Sequence, residues 1–265
     1  MRQSLPQPKR RNAPWTLLQR RTWLATRRRR GRIKFAHDPG SQLLNGLVAH
    51  FGFDESSGNW IDDVGGQVLA ATYGSPQRVA GLHDLAVKFT DDCGALLGTQ
   101  VTSMFSPTAN GFAVSFWVNL SNMDDPFQSV YMVSVWDGAG WPAGSSWHVY
   151  SHSPADGGVQ VGILSPDLSV LYGTADFSVG WVHLCLVYEH VANRWTFYVN
   201  GAAASSDTFG FSPVAGRLGV GMDANPIAEL PQGIFDELVF WSRALSAAEV
   251  AQLYNYGNGL PYEWF

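Results

Sequence analysis

The stretch that decides the fold is GWVHLCLVYEHVANRWTFYVNG, residues 180–201. Its run 181–189 is apolar on both faces of an extended chain, as suits a strand covered on both sides. The run 194–200 is rich in Trp, Phe, Tyr and Val, which fit a pleated surface. Ala192 and Asn193 sit near a tip between the two runs. Asn200–Gly201 opens the next turn, because these residues accept the left-handed backbone that tight turns demand. The segment predicts a β-hairpin whose first strand lies inside a sheet.

The same punctuation by Gly, Pro, Asn and Asp runs outward in both directions. It predicts strands at 47–53, 84–89, 111–119, 129–136, 146–151, 158–164, 168–172, 216–221 and 234–241. In FAVSFWVNL, residues 112–120, Phe112, Val114, Phe116 and Val118 share one face, and Ala113, Ser115, Trp117 and Asn119 the other. One helix is expected, near the end. Ser246 and Glu249 form a capping box, Val250, Leu253 and Tyr254 make one apolar stripe, and Gly257 is placed to stop the helix. An all-β body with one late helix predicts a two-sheet antiparallel sandwich. No fixed internal repeat is present.

Charge divides the 265-residue chain in two. Twelve of its seventeen Lys and Arg lie in the first 34 positions, a stretch without acids. The other five stand against all twenty-two acids, so a net −5 conceals an arm of +12 on a body of −17. We read residues 1–40 as a basic, Pro- and Arg-rich arm and 41–265 as one folded domain. The arm has too few apolar residues to fold alone, though 15–28 suit a short helix formed on a partner. Its Trp15, Trp23, Arg27, Arg28, Arg29, Arg30 and Arg32 are interface-anchor types. They are expected to dock the chain in a larger protein assembly. Binding to nucleic acid phosphates, with a steep salt dependence, and folding back on the acidic body are the alternatives. Cys93 and Cys185 are too few for a disulfide scaffold; Cys185, in an apolar run, reads as a buried free thiol, with a Cys93–Cys185 pair as the alternative. No apolar run reaches the roughly 18 residues of a membrane span. No signal peptide is visible, since four arginines follow where the apolar stretch after RRTWLAT would be.

Four stretches together resemble the laminin G-like, concanavalin A-like family of jelly-roll domains. They are GLVAHFGFDESSGNWIDDVGG (46–66), FAVSFWVNL (112–120), GWVHLCLVYEHVANRWTFYVNG (180–201) and GIFDELVFWSRALSAAEVAQLYNYG (233–257). The order and spacing agree over 46–257, and the arm has no counterpart. The resemblance implies two antiparallel sheets packed face to face and a non-catalytic module that binds glycans, proteins or lipids. It also implies a structural calcium between the regions of Asp54 and Asp236. Hard carboxylate and carbonyl oxygens are the ligands that ion takes. Turn capping by Asp54 and backbone hydrogen bonding by Asp236 are the alternative.

The expected ligand surface is the aromatic loop WDGAGWPAGSSWHVYSH, with Trp141, Trp147, His148 and Tyr150 as its candidates. An exposed ring there would stack on a sugar or anchor a partner. Packing of Trp136 and Trp147 in the core is the competing reading. The loop acids Asp124, Asp125, Asp137, Asp156 and Asp223 read as solvated turn residues. Catalysis is not expected. Glycoside hydrolysis needs two facing carboxylates, and Asp236 and Glu237, being adjacent in a strand, should point to opposite faces. No zinc spacing, nucleophile elbow or phosphate loop appears, and His183 reads as a packed residue. The sequence thus predicts a binding protein anchored by its arm at the outside of a particle, a phage virion decoration or tail component. A glycan-binding adhesion module is the alternative, and a glycoside hydrolase a minor one.

Overall fold

The computed structural model describes residues 42–90, 95–98, 110–120, 129–136, 147–152, 159–163, 171–209, 217–221 and 233–265. The arm, Cys93, Trp141 and the loop acids Asp124, Asp125, Asp137, Asp156 and Asp223 lie outside the described residues.

Sixteen strands run through the described residues. They are β1 (Leu47–Phe51), β2 (Trp60–Ile61), β3 (Val68–Tyr73), β4 (Gln77–Ala80), β5 (Leu85–Phe89), β6 (Ala95–Gly98), β7 (Phe112–Leu120) and β8 (Ser129–Trp136). There follow β9 (Trp147–His152), β10 (Val159–Ile163), β11 (Thr174–Ala175), β12 (Val182–Glu189), β13 (Arg194–Val199), β14 (Ala202–Thr208), β15 (Arg217–Val220) and β16 (Gly233–Trp241). The first sheet has the order β14-β13-β12-β7-β16-β5-β4, with β1 also paired to β16, and the second β11-β10-β9-β8-β15-β6-β3-β2. Each pairing is antiparallel, so the jelly-roll sandwich expected from the sequence is the fold.

The hairpin that opened the reading holds. β12 pairs with β7 on one side and β13 on the other. Asn193, Asn200 and Gly201 take the left-handed backbone at its turns. The main core lies between the sheets and includes Phe112, Val114, Phe116, Val118, Leu184, Leu186, Trp195 and Phe197. A second core lies on the outer side of the first sheet. Here Ala113, Cys185, Val187, Val239 and Trp241 pack under α1 (Ala247–Tyr254), with Val250, Leu253 and Phe265. Both faces of β7 and β12 are therefore buried.

The capping box forms as expected: Glu249 N–H donates to Ser246 Oγ at 3.3 Å, and Ser246 N–H donates to Glu249 Oε2 at 2.8 Å. The stop differs. Asn255, in the left-handed region, caps the helix two residues before Gly257. Its side-chain amide donates to Gly259 O at 2.8 Å, which stabilises that conformation.

The expected strand at 168–172 does not extend into the described Leu171 and Tyr172; the short β11 follows instead. β14, with the sequence AAASSDT, was not expected. It is an exposed outer strand of small residues and lacks the apolar alternation that marks a half-buried one.

Candidate binding surface and the buried polar groups

The two sheets present different outer faces. That of the first sheet is closed by α1 and the segment after it. Tyr254 stacks on Trp117 with centroids 5.8 Å apart and planes 17° apart. Gly201 runs directly under Tyr254: a Cβ at Gly201 would lie 2.8 Å from the Cβ of Tyr254. The acids and histidines that sequence reading had weighed for chemistry lie mostly beneath this cover.

Asp236 and Glu237 stand where the edge of β16 changes partner. β5 pairs with Gly233–Phe235, and β1 with Leu238–Trp241. The β7 register slips between Asp236 and Val239, and Glu237 has φ 51°. This bulge overturns the expectation that the two acids face opposite sides, because regular alternation stops there. Asp236 lies opposite Trp117, and Glu237 reaches His50, whose register partner is Val239. Both acids thus serve the outer side. Asp236 is 0% and Glu237 8% exposed.

Asp236 replaces the missing ladder bonds at this handover. Its Oδ2 accepts from Leu82 N–H (2.7 Å) and His83 N–H (3.2 Å), and its Oδ1 from Glu237 N–H (2.9 Å). Burial first, then the charge of Glu237, holds the Asp236 carboxyl well above the usual carboxylate range, against the pull of the His83 and Leu82 amides. Asp54 lies close enough to add to this effect, and its Oδ1 accepts from Leu85 N–H at 2.9 Å. Asp236 thus bonds backbone, whereas this bond of Asp54 reaches the start of β5, 31 residues on, and not the turn that follows it. Gly81 makes room for the arrangement, since a Cβ there would lie 2.5 Å from Asp236 Oδ2, 2.7 Å from Leu85 O and 2.9 Å from His83 O. Among the described residues no group of three or more His, Cys, Asp or Glu could hold a metal.

His50 is a buried cation. Its Nε2 donates to Glu237 Oε2 at 2.7 Å and its Nδ1 to Asp63 Oδ2 at 3.1 Å. Ionised carboxylates only accept, so both ring nitrogens carry protons. Burial is the largest single influence and lowers its pKa. Glu237 and Asp63 together outweigh it and push the value up to about 9. Tyr262 stacks on the ring at 4.4 Å and Phe265 meets it edge-on at 6.1 Å.

Ser115 Oγ and His183 Nε2 are hydrogen-bonded at 2.8 Å. The pair has the spacing of a nucleophile and its base, but His183 is completely buried and Ser115 nearly so. Burial lowers the His183 pKa to about 3, leaving it neutral, and its Nδ1 has no hydrogen-bond partner. The expectation that His183 is a packed residue agrees with this geometry.

The second sheet carries the expected ligand residues, and the structure sorts them. Trp147 is 1% exposed and packs in the main core, 5.7 Å from the ring of Phe112. This corrects its placement on a ligand surface, because in β9 it shares the inward side with Val149. His148 projects the other way yet is 2% exposed, and burial drops its pKa to about 4. It is not an open contact either. Tyr150 is half-buried. Burial, then the neighbouring Tyr172, raises its hydroxyl pKa. Tyr172 is 53% exposed. Opposite Tyr150 in the β9–β10 register stands Gly162, which has no side chain to cover a ring. Among the described residues the aromatic surface legible in the sequence thus contracts to Tyr150 and gains Tyr172. Sequence reading missed Tyr172 because it took 168–172 for an ordinary strand. Its signal was the alternation of apolar or small with polar residues from Leu171 to Ser178.

Comparison with known proteins agrees with this architecture. A laminin G-type family model, described as the concanavalin A-like lectin/glucanases superfamily, matches residues 97–251. The chain belongs to that superfamily. The match spans two of the four stretches quoted above and most of the last, and the first lies before it. No curated protein matches the chain in sequence. Among solved structures, the binding domain of paraclostridial mosquitocidal protein 1 is similar, with TM-score 0.60 and 18% identity, over 81% of this chain and 53% of that one. The botulinum neurotoxin type G receptor binding domain is similar at TM-score 0.58 and 13% identity, over 80% and 51% of the two chains. So is the binding domain of botulinum neurotoxin DC in complex with SialylT, at TM-score 0.59 and 12% identity, over 80% and 51%. The chain spans about half the length of these structures, and at such identities the likeness is one of fold.

Proposed function

We propose that this chain is a non-catalytic binding module that takes a glycan on the outer face of its second sheet. The observation that carries the reading is the pair Tyr150 and Tyr172 on the outer side of the second sheet. The outer face of the first is closed by α1 and the segment after it, with Asp236, Glu237, Ser115 and His183 sealed inside. On the second sheet, toward β11, Tyr172 is exposed and Tyr150 half-buried, amphipathic rings of the type that meet sugars and protein surfaces. Superfamily membership supports a lectin-like role, and the similar structures are themselves named as binding or receptor-binding domains. Trp141 remains a candidate contact of the same surface.

The charge division supports a second element. Residues 1–40 attach the module to protein partners in a larger assembly at an exposed face, and a phage virion decoration or tail component is the setting we propose. Asp54 and Asp236 would hold a structural calcium through their carboxylate oxygens.

Two measurements test the reading. Immobilised full-length chain is screened against glycans and assayed for their hydrolysis. Binding without hydrolysis is expected, and turnover would overturn the non-catalytic role. Trypsin is applied to native material at low and high salt. Protection of the arm that is lost on dissociation supports attachment, and immediate cleavage at both salts removes it.

A further inference from the structure

The segment from Leu171 to Ser178 forms, through β11, the edge of the second sheet among the described residues. Its burial alternates strictly. Leu171, Gly173, Ala175 and Phe177 are buried, and Tyr172, Thr174, Asp176 and Ser178 are exposed. The inward residues lock the edge onto the opposite sheet: a Cβ at Gly173 would lie 2.7 Å from Phe197 and 3.1 Å from the Cβ of Ala204. The outward row is therefore mounted on a rigid backbone. Asp176 Oδ1 accepts from Ser178 N–H (2.9 Å) and Ser178 O–H (2.6 Å), which orients an exposed carboxylate. Hydrogen bonds from Ser178 keep that carboxyl ionised by lowering its pKa.

We propose that this outward row is a subsite for a neutral oligosaccharide, with Tyr172 stacking on a sugar ring and Thr174 and Asp176 hydrogen-bonding its hydroxyls. The assignment rests on the glycan-binding reading above and adds the class of glycan and the residues that hold it. Three features select the occupant. An exposed tyrosine beside half-buried Tyr150 offers a flat apolar surface with polar rims. Thr174 and Asp176 present a donor and strong acceptors on the same side, which suits paired hydroxyls. The fixed negative charge of Asp176 disfavours sialylated or sulfated chains. From Tyr172 to Asp176 an extended backbone runs roughly 13 Å, so the row addresses several linked sugars.

The test is calorimetric titration of the full-length chain with neutral tetrasaccharides (β-1,4-glucan, α-1,4-glucan and β-1,4-mannan) and with 3′-sialyllactose. A neutral probe is expected to bind, with little dependence on NaCl. Tyr172→Ala should weaken binding at least about tenfold, as loss of an aromatic anchor does, and Asp176→Asn should weaken it less. Both residues are exposed, so thermal unfolding should be unchanged and a loss of binding can be read directly. Neutral binding that survives both substitutions overturns this placement and leaves the module reading standing, with Tyr150→Ala then locating the site. Binding of 3′-sialyllactose alone overturns the neutral class. Failure of every probe to bind the wild-type chain overturns both readings.

Discussion

His50 Nε2 lies 2.7 Å from Glu237 Oε2, joining residues 187 positions apart in the chain. One imidazolium thereby ties β1 to the bulge of β16, to the turn bearing Asp63 and to the final aromatic residues.

This tie should weaken in alkali. The pKa of His50 rises from 6.5 to about 9 on folding. Its stabilisation is complete below pH 6.5 and is lost as pH rises through 9. The loss should reach about 3 kcal/mol. Thermal unfolding followed from pH 6 to 10 should show a falling midpoint, and His50→Gln should flatten that limb. A wild-type midpoint independent of pH over this range would contradict the buried cation.

Acid should act through two other histidines. His148 and His183 are held neutral by burial, with pKa values lowered to about 4 and about 3. The unfolded chain takes up protons at these sites from pH 6.5 downward and the folded chain does not. Stability is therefore present above pH 6.5 and lost as pH falls toward the folded values, by about 2 kcal/mol per histidine at pH 5. Denaturant titrations at pH 7 and pH 5 measure the difference, and His183→Phe should remove its own share. With the His50 limb, maximum stability falls near pH 6.5 to 7.

Asp236→Asn should destabilise the domain by about 1–3 kcal/mol. Both carboxyl oxygens of Asp236 accept backbone N–H groups, and the amide would set a donor against one of them. The variant also tests calcium. EDTA should lower the unfolding midpoint of the wild type and leave that of Asp236→Asn unchanged. A wild type indifferent to EDTA and to added calcium would remove the ion.

Arg243 fixes the root of the arm. It donates to Asn45 O (2.6 Å) and Gln42 O (2.7 Å) and pairs with Glu249 through two contacts of 2.5 and 3.1 Å. Trp241 Nε1 adds a bond to Leu43 O at 2.7 Å. Arg243→Ala leaves Glu249 half-enclosed without its partner. It should cost about 1–2 kcal/mol, between the values for an exposed and a buried pair, since Ser246 still bonds Glu249. Hydrogen exchange should quicken at residues 42–48 before the rest of the sheet. Unchanged exchange there would show that Trp241 and the buried Leu43 suffice.

The fold was legible because its central elements obey strong local rules. Phe112–Leu120, Val182–Glu189 and Arg194–Val199 are long, apolar and bounded by turn residues, and the helix announces itself through Ser246 and Glu249. β4 and β14 were missed because edge strands carry exposed, small or polar residues with little alternation. The candidate surface was legible only in part. Tyr150 keeps its place, but Trp147 looked the same in sequence and is core, because one step along a strand reverses the face.

What the sequence by itself determined is the architecture and the division of charge: a two-sheet sandwich, a late capped helix and a basic arm on an acidic body. These follow from periodicity, turn chemistry and composition, which neighbouring residues carry. Tertiary structure alone decided which polar groups are spent. That Asp236 and Glu237 serve one side depends on a bulge set by two competing strand partners. That His50 is charged and His183 neutral depends on carboxylates brought beside one and kept from the other by chain segments far apart. Burial and charge act through space, so two histidines that read alike in the sequence end with pKa values of about 9 and about 3.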